Sequence, residues 1–86
     1  MPSIAEFLGM WITINWVDHP PPHFHVEAGG FEALVTIKDC KIIEGKLPSG
    51  KLKYLKKWVK LHQDELMENW FLAQERKPLN NIQGLK

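Results

Sequence analysis

Two consecutive glycines, Gly29 and Gly30, separate two runs in which apolar and polar residues alternate, HFHVEA and FEALVTIK. A Gly-Gly link between such runs is typical of a β-hairpin with a two-residue turn, because glycine readily adopts the positive φ angles that these turns need. Counting outwards from the turn sets the register, in which Glu27 lies opposite Glu32. This hairpin restricts the fold more than any other feature of the sequence.

The period of two divides the hairpin residues between two faces. The apolar face is expected to line the core and holds Phe24, Val26, Ala28, Phe31, Ala33, Val35 and Ile37. The other face is mostly polar and holds His23, His25, Glu27, Glu32, Leu34 and Thr36.

The chain on either side of the hairpin predicts further strands and a helix. Met10 to Val17 (MWITINWV) is rich in β-branched and aromatic residues and predicts a strand, and Lys41 to Glu44 predicts a short one. From Lys51 to about Arg76, apolar residues recur at spacings of three and four, which predicts one long helix that Ser49 is placed to cap.

These elements predict an α+β fold, in which an antiparallel sheet of three or four strands carries one long C-terminal helix packed on one face. A chain of 86 residues is expected to form a single domain over residues 1–86. Its β half would span 1–47, its helix about 50–76 and its C-terminal tail 77–86. With one helix on one face, the histidine face of the sheet would be open, or covered by the tail or by a second chain.

Three histidines fall within seven residues around three prolines, in DHPPPHFH. His23, His25 and Glu27 leave the same side of a strand, and such a set could ligate a divalent metal ion, with Glu32 as a further oxygen ligand. Asp18 or His19 could reach in from the preceding loop.

Two other interpretations of the histidines stay open. His23 and His25 could act as catalytic acid and base, because the imidazole pKa lies near neutrality. They could equally be polar residues on the solvent side of a hairpin, with no ligand or with a protein contact, and no cofactor is then required.

Trp58, His62 and Trp70 lie on the apolar stripe of the predicted helix and are expected to have structural roles. On this geometry His62 faces the core and is buried and hydrogen-bonded, with His19 and the proline loop as its neighbours. It would therefore not join His23 and His25 in one site.

Lysines crowd the outer face of the same helix, among them Lys53 and Lys57, which are four residues apart. Like charges at this spacing cost helix stability, so the lysines could instead contact phosphates or an acidic partner, together with Lys46. The simpler interpretation is a solvated face.

Composition limits the function classes. The formal net charge of +1 does not indicate a nucleic-acid or membrane protein, and the single cysteine, Cys40, favours a reducing compartment. No apolar run is long enough to span a bilayer, and no signal peptide is evident, so we expect a cytoplasmic protein without a membrane partner.

Several blocks of the sequence together resemble a family of small bacterial proteins, catalogued as domain of unknown function 4160. The blocks are MPSI, DHPPPHFHVEAGGFEA, EGKLP, W-x-x-x-H-x-x-E-L-x-x-N-W and KPL. The resemblance marks motif positions without assigning them roles: Asp18, His19, His23, His25, Glu44, Gly45, Lys46, His62, Asn69 and Trp70. It also implies a genetic context, often on mobile elements, in which a second small gene lies alongside as in a toxin–antitoxin pair.

Two hypotheses for function follow. In the first, the protein is an interaction module, half of a toxin–antitoxin-like pair, and its partner is a small cognate protein encoded nearby or a second copy of the chain. In the second, it is a small nuclease-like effector in which His23 and His25 act as acid and base or bind a metal, while Lys46 and the helix lysines hold phosphates. Asp18, His19, Glu32, Lys46, Lys53 and Lys57 are the candidate binding residues.

Overall fold

The computed structural model describes residues 3–85 and shows an α+β fold. Over that range the chain forms five strands and then two helices. The strands are β1 (Ala5–Phe7), β2 (Met10–Thr13), β3 (His23–Ala28), β4 (Phe31–Thr36) and β5 (Ile42–Gly45). The helices are α1 (Ser49–Leu61) and α2 (Gln63–Gln74).

The strands form one antiparallel sheet in the order β1-β2-β3-β4-β5, so each strand pairs with its neighbours along the chain. The register predicted for the central hairpin is confirmed, because Glu27 lies opposite Glu32 and His25 opposite Leu34. The prediction of three or four strands is wrong, because it did not include β1. β1 turns into β2 through Leu8 and Gly9, which both have positive φ, and leucine rarely occupies that conformation.

The predicted single helix is also wrong, because it is divided at His62. The backbone of His62 has φ −121° and ψ 24°, outside the helical region, and α2 begins at the next residue. The side chain of Gln63 extends to the turn after β4, where it donates to the backbone carbonyls of Ile37 and Lys38. Ser49 does not cap α1 as predicted, since Pro48 occupies the N-cap position and no side chain bonds there.

Both helices contribute to one core against the apolar face of the sheet. The rings of Phe7 and Phe24 pack on Trp58 of α1, with centroids 5.0 and 6.2 Å apart. The buried residues of the helices recur at the spacings predicted from the sequence: Leu55, Trp58, Val59, Leu66, Trp70 and Ala73. The helices therefore cover one face of the sheet, and the opposite face carries the polar residues of the hairpin.

The C-terminal tail packs on the domain through buried polar groups. Asn69 of α2 is fully buried, and its amide donates to the carbonyl of Asn80 while its oxygen accepts from the Asn80 N–H, both at 2.8 Å. The indole N–H of Trp58 donates to the Gln83 carbonyl, and the N–H of Ile82 donates to the Ile4 carbonyl beside β1. The tail thus covers the outer side of the first strand.

Cys40 lies buried in the turn between β4 and β5. Burial raises the pKa of its thiol to about 11, although the positive charge of Lys56 opposes the shift.

Because the thiolate is the reactive form, we expect Ellman's reagent at pH 8 to label the native thiol roughly 100-fold more slowly than the thiol of the unfolded chain. Equal labelling rates with and without guanidinium chloride would contradict this. A Cys40→Ser variant, which has no thiol, measures the background reaction.

Across the described part of the chain, no helix is both long enough and apolar enough to cross a membrane.

Candidate functional site

The loop between β2 and β3 brings Asp18 to the histidines of β3. The backbone N–H of Val17 donates to the carbonyl of Ala73, and the side chain of Gln74 donates to the carbonyl of Asp18. These bonds attach the loop to the end of α2, so the carboxylate of Asp18 is held over the start of β3.

A single carboxylate oxygen of Asp18 faces both imidazole rings. Its Oδ2 lies 3.1 Å from Nε2 of His23 and 3.5 Å from Nε2 of His25. We call these three side chains the Asp18–His23–His25 cluster. Among residues 3–85 it is the one group of three or more histidine, cysteine and acidic side chains whose ligand atoms all lie within 4.8 Å of one another.

His23 is the buried member of the cluster, with 5% of its surface exposed. Its Nδ1 lies 2.7 Å from the carbonyl oxygen of Pro21, which can only accept, so Nδ1 carries a proton. The ring also packs against Trp70, with centroids 5.3 Å apart. Both contacts fix the ring so that Nε2 points at Asp18.

His25 and Asp18 are the accessible members of the cluster. The side chain of His25 is 35% exposed and that of Asp18 is 24% exposed, so solvent and small ions reach both. The amide nitrogen of Asn15 lies 3.0 Å from Nε2 of His25. Asn15 therefore belongs to the surroundings of the cluster, although nothing in the sequence singles it out.

Asp18 is ionised at neutral pH. Partial burial acts to raise the pKa of its carboxyl group, but the backbone N–H of His19 and the rings of His25 and His23 outweigh that effect and hold the pKa below its ordinary value. The cluster therefore combines one carboxylate with two imidazoles, a donor set that suits proton transfer or a divalent transition-metal ion.

Two residues predicted for a metal site lie outside the cluster. Glu27 is on the same face as His25 but is exposed to solvent further along β3, and Glu32 lies opposite it on β4. Residues two apart on a strand are almost 7 Å apart, so three successive side chains on one face do not converge on a point. The structure therefore brings Asp18, rather than Glu27, to His23 and His25.

His19 and His62 are also placed differently from the prediction. The side chain of His19 is exposed, and only its backbone N–H bonds to Asp18. His62 is half-buried at the junction of the two helices, where its Nδ1 lies 2.6 Å from a carboxylate oxygen of Glu65 and its ring packs near Trp58. The prediction placed a buried His62 beside the proline loop, whereas the structure places it, half-buried, against Glu65 of α2 and Trp58 of α1.

The cluster borders a groove of about 750 Å³ on the sheet face that the helices leave uncovered. The side chains along this groove come from β2, β3, β4 and β5: Trp11, Thr13, His25, Glu27, Glu32, Leu34 and Glu44. We call this surface the acidic groove. His25 belongs both to the groove and to the cluster.

The lysines predicted to hold phosphates lie elsewhere. Lys53 and Lys57 are exposed on α1, which packs on the opposite face of the sheet, and Lys57 lies over the ring of Tyr54. Lys46 is exposed just beyond β5, where its backbone N–H donates to the carbonyl of Glu32. The structure therefore does not bring the helix lysines to the histidines.

A five-stranded antiparallel sheet, two helices on one face and an aspartate–histidine cluster at the end of the open face define a small α+β protein with one candidate polar site among the described residues. The chain belongs to the family described as Domain of unknown function (DUF4160), whose family model matches residues 9–71. The matched segment contains the whole cluster and Asn69, and it confirms the resemblance drawn from the sequence. Neither the curated proteins nor the solved structures provide a match.

Proposed function

We propose that the protein is an interaction module whose acidic groove binds a basic segment of a partner protein. The observation that carries this proposal is the open face of the sheet. It holds a groove of about 750 Å³, and the charged side chains along this groove are of one sign.

Three glutamates supply that charge: Glu27, Glu32 and Glu44. Within residues 3–85 none of them forms an ion pair. Glu27 and Glu32 also lie directly opposite each other across the ladder, where like charges are unfavourable. A lysine or arginine of a bound partner would relieve this repulsion, which gives the groove a preference for basic ligands.

Trp11 gives the same groove an apolar anchor. Its side chain is on the open face, opposite Glu27 in the ladder, and 52% of its surface is exposed. Tryptophan is enriched among the residues that dominate binding energies, and an arginine can stack on its indole ring. A basic segment that also carries apolar residues therefore fits the groove better than a purely charged one.

The nuclease-like alternative is less well supported by the same surface. A phosphate backbone approaching His25 would meet Glu27 and Glu32, and repulsion between anions opposes that approach. The helix lysines that would hold phosphates lie on the other side of the molecule. We therefore place a protein partner ahead of a nucleic acid.

The family resemblance suggests which partner to test first. In a toxin–antitoxin-like arrangement the partner is the small protein encoded by the neighbouring gene, and cytoplasmic co-expression of the two chains would allow the complex to form. A second copy of this chain would offer the exposed lysines of α1, and it is the candidate to test after the neighbouring protein.

The test is co-purification of the chain with the neighbouring gene's product, followed by titration calorimetry. We expect the Glu27→Lys/Glu32→Lys variant to bind at least about 10-fold more weakly than wild type, because buried or partly buried charge pairs contribute more than about 1.4 kcal/mol. We also expect wild-type affinity to fall as salt is raised from about 50 to about 300 mM, since salt screens the attraction.

The matched control is Glu68→Lys/Glu75→Lys, which changes the net charge equally at two exposed positions on α2 and its C-terminal end. This variant should bind like wild type. Loss of binding in both variants would show that net charge, and not the groove, determines binding. Unchanged binding in the groove variant would overturn the proposal.

A further inference from the structure

We propose that Asp18, His23 and His25 form a three-ligand binding site for a first-row divalent cation, of which Zn²⁺ is the best match. This inference does not depend on the acidic groove binding a partner. It rests on how the three side chains are held and on the separation of their ligand atoms.

The acceptor atoms of a neutral His23 ring and of Asp18 lie close together. The Pro21 carbonyl accepts the Nδ1 proton of His23, so the remaining lone pair of a neutral ring is on Nε2, 3.1 Å from a carboxylate oxygen. A lone pair and a carboxylate repel each other unless a cation lies between them. A divalent cation bound to both atoms would remove this repulsion and would use them as two of its ligands.

The ligand atoms have nearly the separation that a tetrahedral ion requires. A tetrahedral ion with bonds of roughly 2.0–2.1 Å places its ligand atoms about 3.4 Å apart. The two distances from Oδ2 of Asp18 to the ring nitrogens are 3.1 and 3.5 Å, on either side of that value. Small side-chain adjustments are enough to close the set around an ion, with the Asn15 amide giving up its place at Nε2 of His25.

Neighbouring residues hold the ligands in place. A hydrogen bond from the second ring nitrogen to a backbone carbonyl is the usual way in which a metal-binding histidine is oriented, and His23 has this bond to Pro21. Trp70 packs against the same ring, and Gln74 holds the backbone of Asp18. The most deeply buried ligand is thus rigid, while the partly exposed Asp18 and His25 leave an entry path.

The donor set selects the class of ion. Two imidazoles and one carboxylate favour Zn²⁺, Co²⁺, Ni²⁺ or Fe²⁺ over Mg²⁺ and Ca²⁺, which prefer oxygen ligands. Glu27 and Glu32 on the same face add negative potential, which attracts any divalent cation. Three protein ligands leave a fourth position for water or for a side chain of a bound molecule.

The experiment uses tag-free protein that has been treated with a chelator and then titrated with Co²⁺ and, separately, with Zn²⁺. We expect one equivalent of either ion to bind, and Co²⁺ to give the intense visible absorption of a four-coordinate site. His25→Ala and Asp18→Asn should each weaken binding about 100-fold or more, because each removes a ligand. Both side chains are partly exposed, so both variants should keep the wild-type circular dichroism spectrum.

Glu27→Gln is the matched control, because it removes a carboxylate from the same face without removing a ligand. It should bind Zn²⁺ within about threefold of wild type, since a single exposed charge changes the local potential only slightly. The proposal is overturned if wild type binds less than one equivalent of both ions, or if His25→Ala and Asp18→Asn bind as wild type does. It is also overturned if Glu27→Gln weakens binding as strongly as the two ligand variants.

Discussion

We expect the Gly45→Ala variant to unfold at a much lower temperature than wild type. Gly45 ends β5 with φ +78°, and a Cβ atom there would overlap the carbonyl oxygen of Glu32 and lie 3.0 Å from Cα of Ala33. Left-handed backbone strain alone costs about 1–3 kcal/mol, and separating β5 from β4 adds to it. A loss of about 3 kcal/mol lowers the midpoint of a domain this size by ~12–24 °C, which differential scanning calorimetry measures directly.

Gly50→Ala is the control for the general effect of adding a methyl group. Gly50 lies in the first turn of α1, and a Cβ atom added there would have no heavy atom within 4 Å beyond its own helix backbone and chain neighbours. Alanine is the better helix former, so this variant should melt at the wild-type temperature or up to ~5 °C above it. Equal midpoints for the two variants would show that β5 does not depend on the close approach at Gly45.

Asn69→Ala should produce the second large loss of stability, about 3 kcal/mol. The substitution removes both partners of the Asn80 backbone, whose N–H and C=O then lose the hydrogen bonds that join the tail to α2. Each unsatisfied buried group costs about 1–3 kcal/mol, and the empty volume of the side chain adds to that cost. Chemical denaturation with urea would measure the difference as a lower transition midpoint.

Two further substitutions separate the hydrogen bonds from the side-chain volume. Asn69→Asp keeps the volume and the acceptor but loses the donor to the Asn80 carbonyl, so it should also be strongly destabilising at neutral pH. Asn80→Ala keeps both bonds, because Asn80 contributes its backbone groups to them and its side chain is exposed. Its transition should match wild type, and a large effect there would assign the stability to something other than the Asn69 pair.

The central hairpin shows how much of this fold can be predicted from sequence. Gly29 and Gly30 determine the register, as the structure confirms, and the alternation of residue types then assigns the side chains to two faces. Burial departs from that assignment at Phe31, which is exposed beside the turn, and at His23, which is buried. The spacing of apolar residues likewise identifies the buried side of both helices. These features depend on local backbone geometry, which the residue types and their spacing along the chain indicate directly.

Other elements depend on contacts between distant residues. Leu8 takes a left-handed conformation for which the sequence has no signal, so the sequence does not predict the first hairpin. The division at His62 lacks a proline or glycine and coincides with the bonds from Gln63 to a turn far away in sequence. Helical periodicity is the same on both sides of the division, and it therefore predicts one helix.

Only part of the candidate site could be predicted, because it too combines local geometry with contacts between distant residues. The alternation of His23 and His25 places both on one face, which the sequence shows. For the third member the sequence offers two loop residues, Asp18 and His19. Only the attachment of the loop to α2, which the tertiary structure shows, selects the Asp18 carboxylate. Asn69 has a readable signal, since an asparagine among the buried residues of a helix needs hydrogen-bond partners.

The near-neutral total charge conceals how the charges are distributed in space. Carboxylates line the groove on one side of the sheet, and the exposed lysines of α1 lie on the other side of the molecule. The molecule therefore has an electric dipole across the sheet, which turns the groove towards an approaching cation before contact. Encounter rates for basic molecules should fall steeply with ionic strength, while those for neutral molecules should not change.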